Sequence, residues 1–174
     1  PERYERMKKN EQPDNHSDGM MFDALDELVY TQNWYCPIKV KYSDSAFYVS
    51  SADYIVCPEK RQFPQGVEFY GTLLHEMAHS TGSPQRLNRT FGNFFGDALY
   101  AREELVAELT SALCGAFFGY AAAPQDNNAA YLKHWLTKLK EEPAFLVEIL
   151  GDVNKAAKMI AERVTEPINE PAAA

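Results

Sequence analysis

The pentad His75-Glu76-Met77-Ala78-His79 constrains this chain more than any other feature. It lies inside a stretch with helical apolar spacing, from Val67 to Thr81, that Gly82 and Pro84 bring to an end. Two histidines four residues apart share one helical face, a single turn from each other. A shuffled chain of this composition would carry the pattern about once in a hundred sequences, and half of the four histidines fall within it. The fold must therefore build a helix here and bring a second element to meet its histidine face.

The chemistry of the pattern is metal chemistry. Imidazoles one turn apart can both reach a single cation at about 2.0–2.1 Å. The intervening Glu76 projects beside the cation, where a carboxylate can take a proton from water. A catalytic zinc takes three protein ligands and keeps one position open. A third histidine three residues beyond Gly82 would complete one known pattern, but Gln85 stands there, so Gly82 reads as a residue closing the helix. The remaining source is a second helix that carries Glu103, Glu104 and Glu108, which lie 24 to 29 positions after His79. Glu104 and Glu108 are spaced to share a face. One could bind the metal while the other holds an imidazole from behind. We place Glu104 first as ligand, Glu108 next, with a second role behind the histidines, and Glu103 last, pointing about 100° away toward solvent or Arg102.

Around this centre the chain reads as one α+β domain. Residues 1–19 form a polar lead-in, 20–164 the domain, and 165–174 a tail. Met21, Phe22, Leu25, Leu28 and Val29 predict a helix over 20–31. Three short β-rich runs follow, at Ile38–Val40, Ala46–Val49 and Tyr54–Cys57, separated by turn residues. They predict a small antiparallel meander with the last run at an edge before Pro58. After the histidine helix, a loop through Gly92, Asn93 and Gly96 leads to Asp97 as N-cap of a helix over 98–118. Its apolar stripe is Leu105, Leu109, Ala112, Leu113, Ala116 and Phe117. Further helices are expected near 129–140 and 152–164, around a kinked piece at 143–150.

The run His-Glu-Met-Ala-His-Ser-Thr-Gly, followed by Arg-Leu-Asn-Arg, Phe-Gly and Tyr-Ala-Arg-Glu-Glu-Leu-Val-Ala-Glu-Leu, resembles the zincin-like metallopeptidase domain of ArdC-type antirestriction proteins of bacterial plasmids and mobile elements. The likeness extends over roughly residues 20–164, including Ala46-Phe47-Tyr48, Asp53-Tyr54-Ile55 and Trp135-Leu136. It implies a zincin-like fold and a zinc site made of His75, His79 and a glutamate of the second helix. It also implies Glu76 as catalytic acid and base, a protein or peptide substrate, and a bacterial cytoplasmic setting. In zincins an extended peptide pairs with an edge strand beside the metal helix, so the resemblance points to Tyr54, Ile55, Val56 and Cys57 as the substrate strand. Charge on the scissile carbonyl needs a donor besides the metal. Tyr100, one turn before Glu104, is the leading candidate, with Tyr131 and His134 as others. Members of that family carry a separate domain for single-stranded DNA. No part of this sequence corresponds to it, and no direct nucleic-acid binding is expected.

Composition narrows the remaining possibilities. With 25 acidic against 17 basic residues the formal charge is −8, a poor basis for binding phosphates. No stretch approaches eighteen apolar residues, so no membrane span is expected. Cys36, Cys57 and Cys114 form no CxxC pair and read as small buried hydrophobes in a reducing compartment. Lys60, Arg61, Arg86 and Arg89, in loops flanking the histidine helix, read as solvated surface. The alternative to an enzyme is a zinc-binding protein without turnover, or an acidic protein that mimics DNA. The interspersed bases argue against the mimic.

Overall fold

A computed structural model describes residues 19–92, 98–120 and 143–165. Its elements run α1 (Asp23–Thr31), β1 (Ile38–Val40), β2 (Phe47–Val49), β3 (Tyr54–Cys57), a 3-10 turn (Lys60–Gln62), α2 (Gly66–Thr81), α3 (Ala98–Phe117) and α4 (Pro143–Thr165). The class is α+β. The loop residues Asn93, Gly96 and Asp97, the expected helix near 129–140, and Tyr131 and His134 lie outside the described residues.

The helix with the histidines is the spine of the molecule. Leu73, Leu74, Met77 and Ala78 have no exposed surface, and His75, Glu76, His79, Ser80 and Thr81 are buried with them. A helix enclosed on nearly every side is a core element, here covered by the sheet, α3 and α4. Leu25, Leu28, Ile38, Ile55, Ile160 and Val164 close the same core from α1, the sheet and α4. A second cluster of Leu105, Val106, Ile149 and Val153 binds α3 to α4.

The sheet departs from the expected meander. Its order is β1-β3-β2, with β2 antiparallel and β1 parallel to β3. The Ser43-Asp44-Ser45 segment is not a hairpin turn. Its Ser43 backbone is held by the Gln62 side-chain amide, donating to Oε1 at 3.2 Å and accepting from Nε2 at 2.9 Å. The chain thus passes over to the far edge, and β3 returns into the slot between. Ile55 N–H to Pro37 O at 2.9 Å and Lys41 N–H to Cys57 O at 3.1 Å form the parallel ladder. Tyr54–Cys57 is therefore the central strand, hydrogen-bonded on both sides. It has no open edge for a peptide, which corrects its reading as the substrate strand. Pro58 merely follows the strand end.

Two helices also differ from expectation. α4 is one continuous helix from Pro143, where proline's fixed φ suits a first helical position. Gly151, with open space around it, does not break it. On α3, Leu113 and Phe117 are 42% and 65% exposed, while Glu103, Thr110 and Ser111 are buried. The buried face therefore carries polar groups that an apolar stripe cannot register.

Candidate metal centre

Each histidine is placed by α2, and the carboxylates by α3. His75 Nε2 and His79 Nε2 face each other at 3.0 Å. Glu104 closes the triangle, with Oε2 3.5 Å from His75 Nε2 and Oε1 3.4 Å from His79 Nε2. Donors bound to one tetrahedral cation at about 2.0–2.1 Å lie about 3.3 Å apart, so this triangle has the dimensions of a coordination face. Among the described residues, these three form the group whose ligand atoms could share an ion. Two buried ring nitrogens pointing at each other across 3.0 Å can share at most one proton comfortably. A divalent cation resolves that contact, so the donor set fits a metal.

The outer nitrogens meet further carboxylates. Glu103 Oε1 lies 3.2 Å from His79 Nδ1, and Glu108 Oε2 lies 3.2 Å from His75 Nδ1. The Glu103 contact is a formed hydrogen bond. The Glu108 contact has ion-pair distance but poor alignment, since His75 Nδ1 makes no well-directed hydrogen bond. Glu103 was expected in solvent. It is only 4% exposed and packs behind His79. The reason is the rotation of α3: its buried face passes through Glu103, so Glu104, one step round, reaches the site from the side.

These carboxylates set the electrostatics. Burial opposes charge on both imidazoles, but the surrounding glutamates outweigh it. They raise His75, and they raise His79 to about 10. Burial also opposes ionisation of Glu104 and Glu103. Hydrogen bonds from His75 and His79 hold Glu104 well below the usual carboxylate range, and those from Arg89 and then His79 lower Glu103. Glu76 behaves oppositely. It is 7% exposed, and burial pushes its pKa up despite the nearby histidines and a hydrogen bond from the Tyr48 backbone N–H.

That Tyr48 contact locates β2 relative to the site. Tyr48 faces Ile55 across the antiparallel pair, and the Ile55 N–H is spent on Pro37 of β1. Tyr48 and Ile55 are thus a non-hydrogen-bonded pair, and the Tyr48 peptide groups point outward from the sheet. Among the described residues no strand pairs with the outer edge of β2, which borders Glu76. A half-buried ion cluster clamps the hairpin there. Tyr48 Oη donates to Asp53 Oδ1 at 2.7 Å, and Arg86 grips both Asp53 oxygens, with Nη1 to Oδ2 at 3.1 Å, and donates from Nε to Ser80 O at 2.6 Å. Asp53 holds the turn at φ 50°, and its Arg86 bonds keep its pKa low.

Arg86 and Arg89, read as solvated, are both buried at the end of α2. Lys60 also has partners, donating to Tyr70 Oη at 2.8 Å, whereas the Arg61 side chain is largely exposed beside Glu59. No sequence signal separated the two buried arginines from surface ones; their spacing from the histidines is the trace they leave. Tyr100 lies in the first turn of α3, half-buried, one turn before Glu104. Its backbone packs so closely on Gly92 that a Cβ there would lie 2.1 Å from Tyr100 N. The three cysteines are free and buried. Burial pushes Cys36 up to about 11 and Cys114 up to about 12, and it raises Cys57 as well.

A helix that presents two imidazoles and an adjacent buried carboxylate, with a glutamate supplied by a second helix, has the donor arrangement of a zincin-type site. The chain belongs to the zincin-like metallopeptidase family, whose profile matches residues 24–149. It is 39% identical over 137 residues to a DNA primase TraC of Escherichia coli, covering 74% of this chain and 13% of that protein. It is 36% identical over 97 residues to uncharacterized protein y4eC of Sinorhizobium fredii (strain NBRC 101917 / NGR234), covering 56% of this chain and 32% of that one. The Mn(II)-bound crystal structure of antirestriction protein ArdC from plasmid R388 matches with a TM-score of 0.73 at 29% identity, over 87% of this chain and 56% of ArdC. The metal-free ArdC structure matches with a TM-score of 0.69 at 30% identity, over 86% and 53%. The chain thus spans a minor part of the TraC and y4eC proteins and about half of ArdC. No helix among the described residues is long and apolar enough to cross a membrane.

Proposed function

We propose that this domain hydrolyses peptide bonds, with His75, His79 and Glu104 holding a divalent cation and Glu76 serving as acid and base. The observation that carries the reading is the placement of Glu76. It is a buried carboxylate with a raised pKa, next to two imidazole nitrogens and a glutamate spaced as a coordination face. A cation held there would act as a Lewis acid and lower the pKa of a water molecule. Two imidazoles and one carboxylate favour zinc. A buried carboxylate whose pKa is raised accepts a proton from water and returns it to the leaving amine. The Tyr48 N–H keeps that carboxylate aimed along the β2 edge. The outward carbonyl of Tyr48 on the β2 edge offers an extended substrate an acceptor to pair with, and β2 takes the role first expected of β3. Tyr100 stands as donor to the developing carbonyl charge, one turn from Glu104.

The likeness to ArdC supports a bacterial, mobile-element setting for this activity. The chain matches part of larger proteins, which supports its working as a module beside other domains. The test is Glu76→Gln. This variant should bind zinc as the wild type does, by mass spectrometry of the purified protein. It should lose about 10²–10⁴-fold in cleavage of an unfolded protein substrate, read as new N-termini. Unchanged cleavage would remove Glu76 from the chemistry. Absence of any zinc in wild type and variant alike would remove the metal reading itself.

A further inference from the structure

The structure assigns to Arg89 the role of positioning residue for the metal centre, exerted through Glu103 on His79. This rests on the metal-binding part of the proposal above, and not on peptide hydrolysis. The Arg89 side chain is 3% exposed and spends its donors on four acceptors. Nε donates to Glu103 Oε2 at 2.9 Å and Nη2 to Glu103 Oε1 at 2.7 Å, a two-pronged grip on one carboxylate. Nη1 donates to Thr81 Oγ1 and Nη2 to Ala78 O, both at 2.8 Å. The gripped Glu103 then faces His79 Nδ1 at 3.2 Å. A carboxylate fixed in that orientation takes the Nδ1 proton of a neutral ring. The Nε2 lone pair is left toward His75 and Glu104, the tautomer a metal requires.

The local backbone is built to deliver this side chain. Residues 83–89 fold back on the end of α2 through Leu87 N–H to Thr81 O, Asn88 N–H to Ser83 O and Arg89 N–H to Gly82 O, all at 2.9 Å. Gly82 adopts ordinary right-handed geometry, with φ −78°, so it is not required for a left-handed turn. It is required for space. A Cβ at Gly82 would lie 2.8 Å from Phe91 Cζ and 2.9 Å from Arg89 Nη2. The glycine after the histidine motif therefore keeps clear the path along which the guanidinium crosses the helix end. Lysine at position 89 would supply one charge but no fork, and could not grip both oxygens.

Zinc affinity measured by chelator competition tests this, together with the visible spectrum of the cobalt(II) form. Arg89→Lys and Arg89→Gln should each weaken zinc binding by about 10–100-fold and change the cobalt spectrum. Far-ultraviolet circular dichroism of the metal-free variants should keep its helical shape. Glu103→Gln should weaken binding by a similar factor, and Arg89→Gln with Glu103→Gln together should lose no more than one alone, because both act through one contact. Gly82→Ala, which retains every charge, should weaken binding in the same sense and covers the case in which Arg89→Gln does not fold. Wild-type zinc affinity in folded Arg89→Lys and Gly82→Ala would overturn the assignment. So would losses that simply add in the double variant, which would mark Arg89 as a brace for the 83–89 turn alone. A wild-type protein that binds zinc yet cleaves nothing would sink the hydrolase reading and leave this one standing.

Discussion

Loading the centre with a divalent cation should expel protons, and the number follows from the geometry. In the metal-free protein the glutamates raise His79 to about 10 and raise His75 as well. At pH 7, below the His79 value, that ring carries its proton. A metal binds only the neutral imidazole. Binding must therefore release one full proton from His79. His75 contributes at most one more, because the two Nε2 atoms stand 3.0 Å apart and cannot both carry protons without repulsion. Glu104, held well below the usual carboxylate range, is already ionised and releases none. The expected count is between one and two protons per zinc. Zinc affinity should accordingly rise by about one to two decades per pH unit over the range from 6.5 toward 10. Isothermal titration calorimetry at pH 7 in buffers of different ionisation enthalpy gives the count as the slope of observed enthalpy against buffer enthalpy. A slope near zero, with binding independent of pH from 6.5 to 9, would refute the electrostatic account of the site.

Three further outcomes follow from the same structure. Leu73→Ala, at a fully buried position facing the core, should cost about 2–5 kcal/mol of stability in urea unfolding; a loss below about 1 kcal/mol would mean that α2 is not the spine. Asp53→Asn should destabilise by about 1–3 kcal/mol, because it leaves the buried Arg86 guanidinium without its charged partner. It should also loosen β2, read as faster amide exchange at Tyr48; unchanged exchange would separate the clamp from the strand. Metal-free stability should peak between about pH 4.5 and 6.5. The raised His75 and His79 contribute fully below 6.5 and lose that contribution as pH climbs through their folded values. The lowered Glu103 and Glu104 contribute above 4.5 and lose it below. Glu76, raised from 4.5, adds to the decline on the alkaline side. A thermal melting temperature that rises steadily from pH 6.5 to 9 without metal would contradict these signs.

What the sequence made legible was what a single helix encodes. The spacing of His75 and His79 states a shared face without reference to the rest of the molecule, and Leu73, Leu74, Met77 and Ala78 mark the helix as buried. The register of one element against another is not written locally. Which of three glutamates faces the paired imidazole nitrogens depends on how α3 is rotated, and that rotation is set by buried polar residues, Glu103, Thr110 and Ser111, that periodicity reads as surface. The parallel pairing of β1 with β3 depends on a six-residue crossing held by Gln62, and any sequence rule favours a hairpin at Ser43-Asp44-Ser45 instead. Arg89 looked like a solvent-facing cation because its partners lie 8 to 14 residues away on two helices.

The contacts between those two helices show what the centre depends on. Ser111 Oγ donates to Gly71 O at 2.8 Å, Glu108 meets His75, and Glu103 and Glu104 meet His79. As α2 advances from 71 to 79, its partners on α3 descend from 111 to 103, so the helices run antiparallel with matched turns. His75 and His79 repeat every four residues, and so do Glu104 and Glu108. Two elements with the same repeat can stay in step over two turns. This lets one face of α3 supply a ligand candidate at Glu104 and a partner for His75 at Glu108. Glu103, about 100° round the helix, reaches past the pair to the back of His79, where Arg89 holds it. A slip of one residue along α3 would put Leu105 or Glu103 where Glu104 now stands, and the triangle of donors would be lost. The fixed register of two helices, more than the presence of any one acid, is what brings these donors into one triangle.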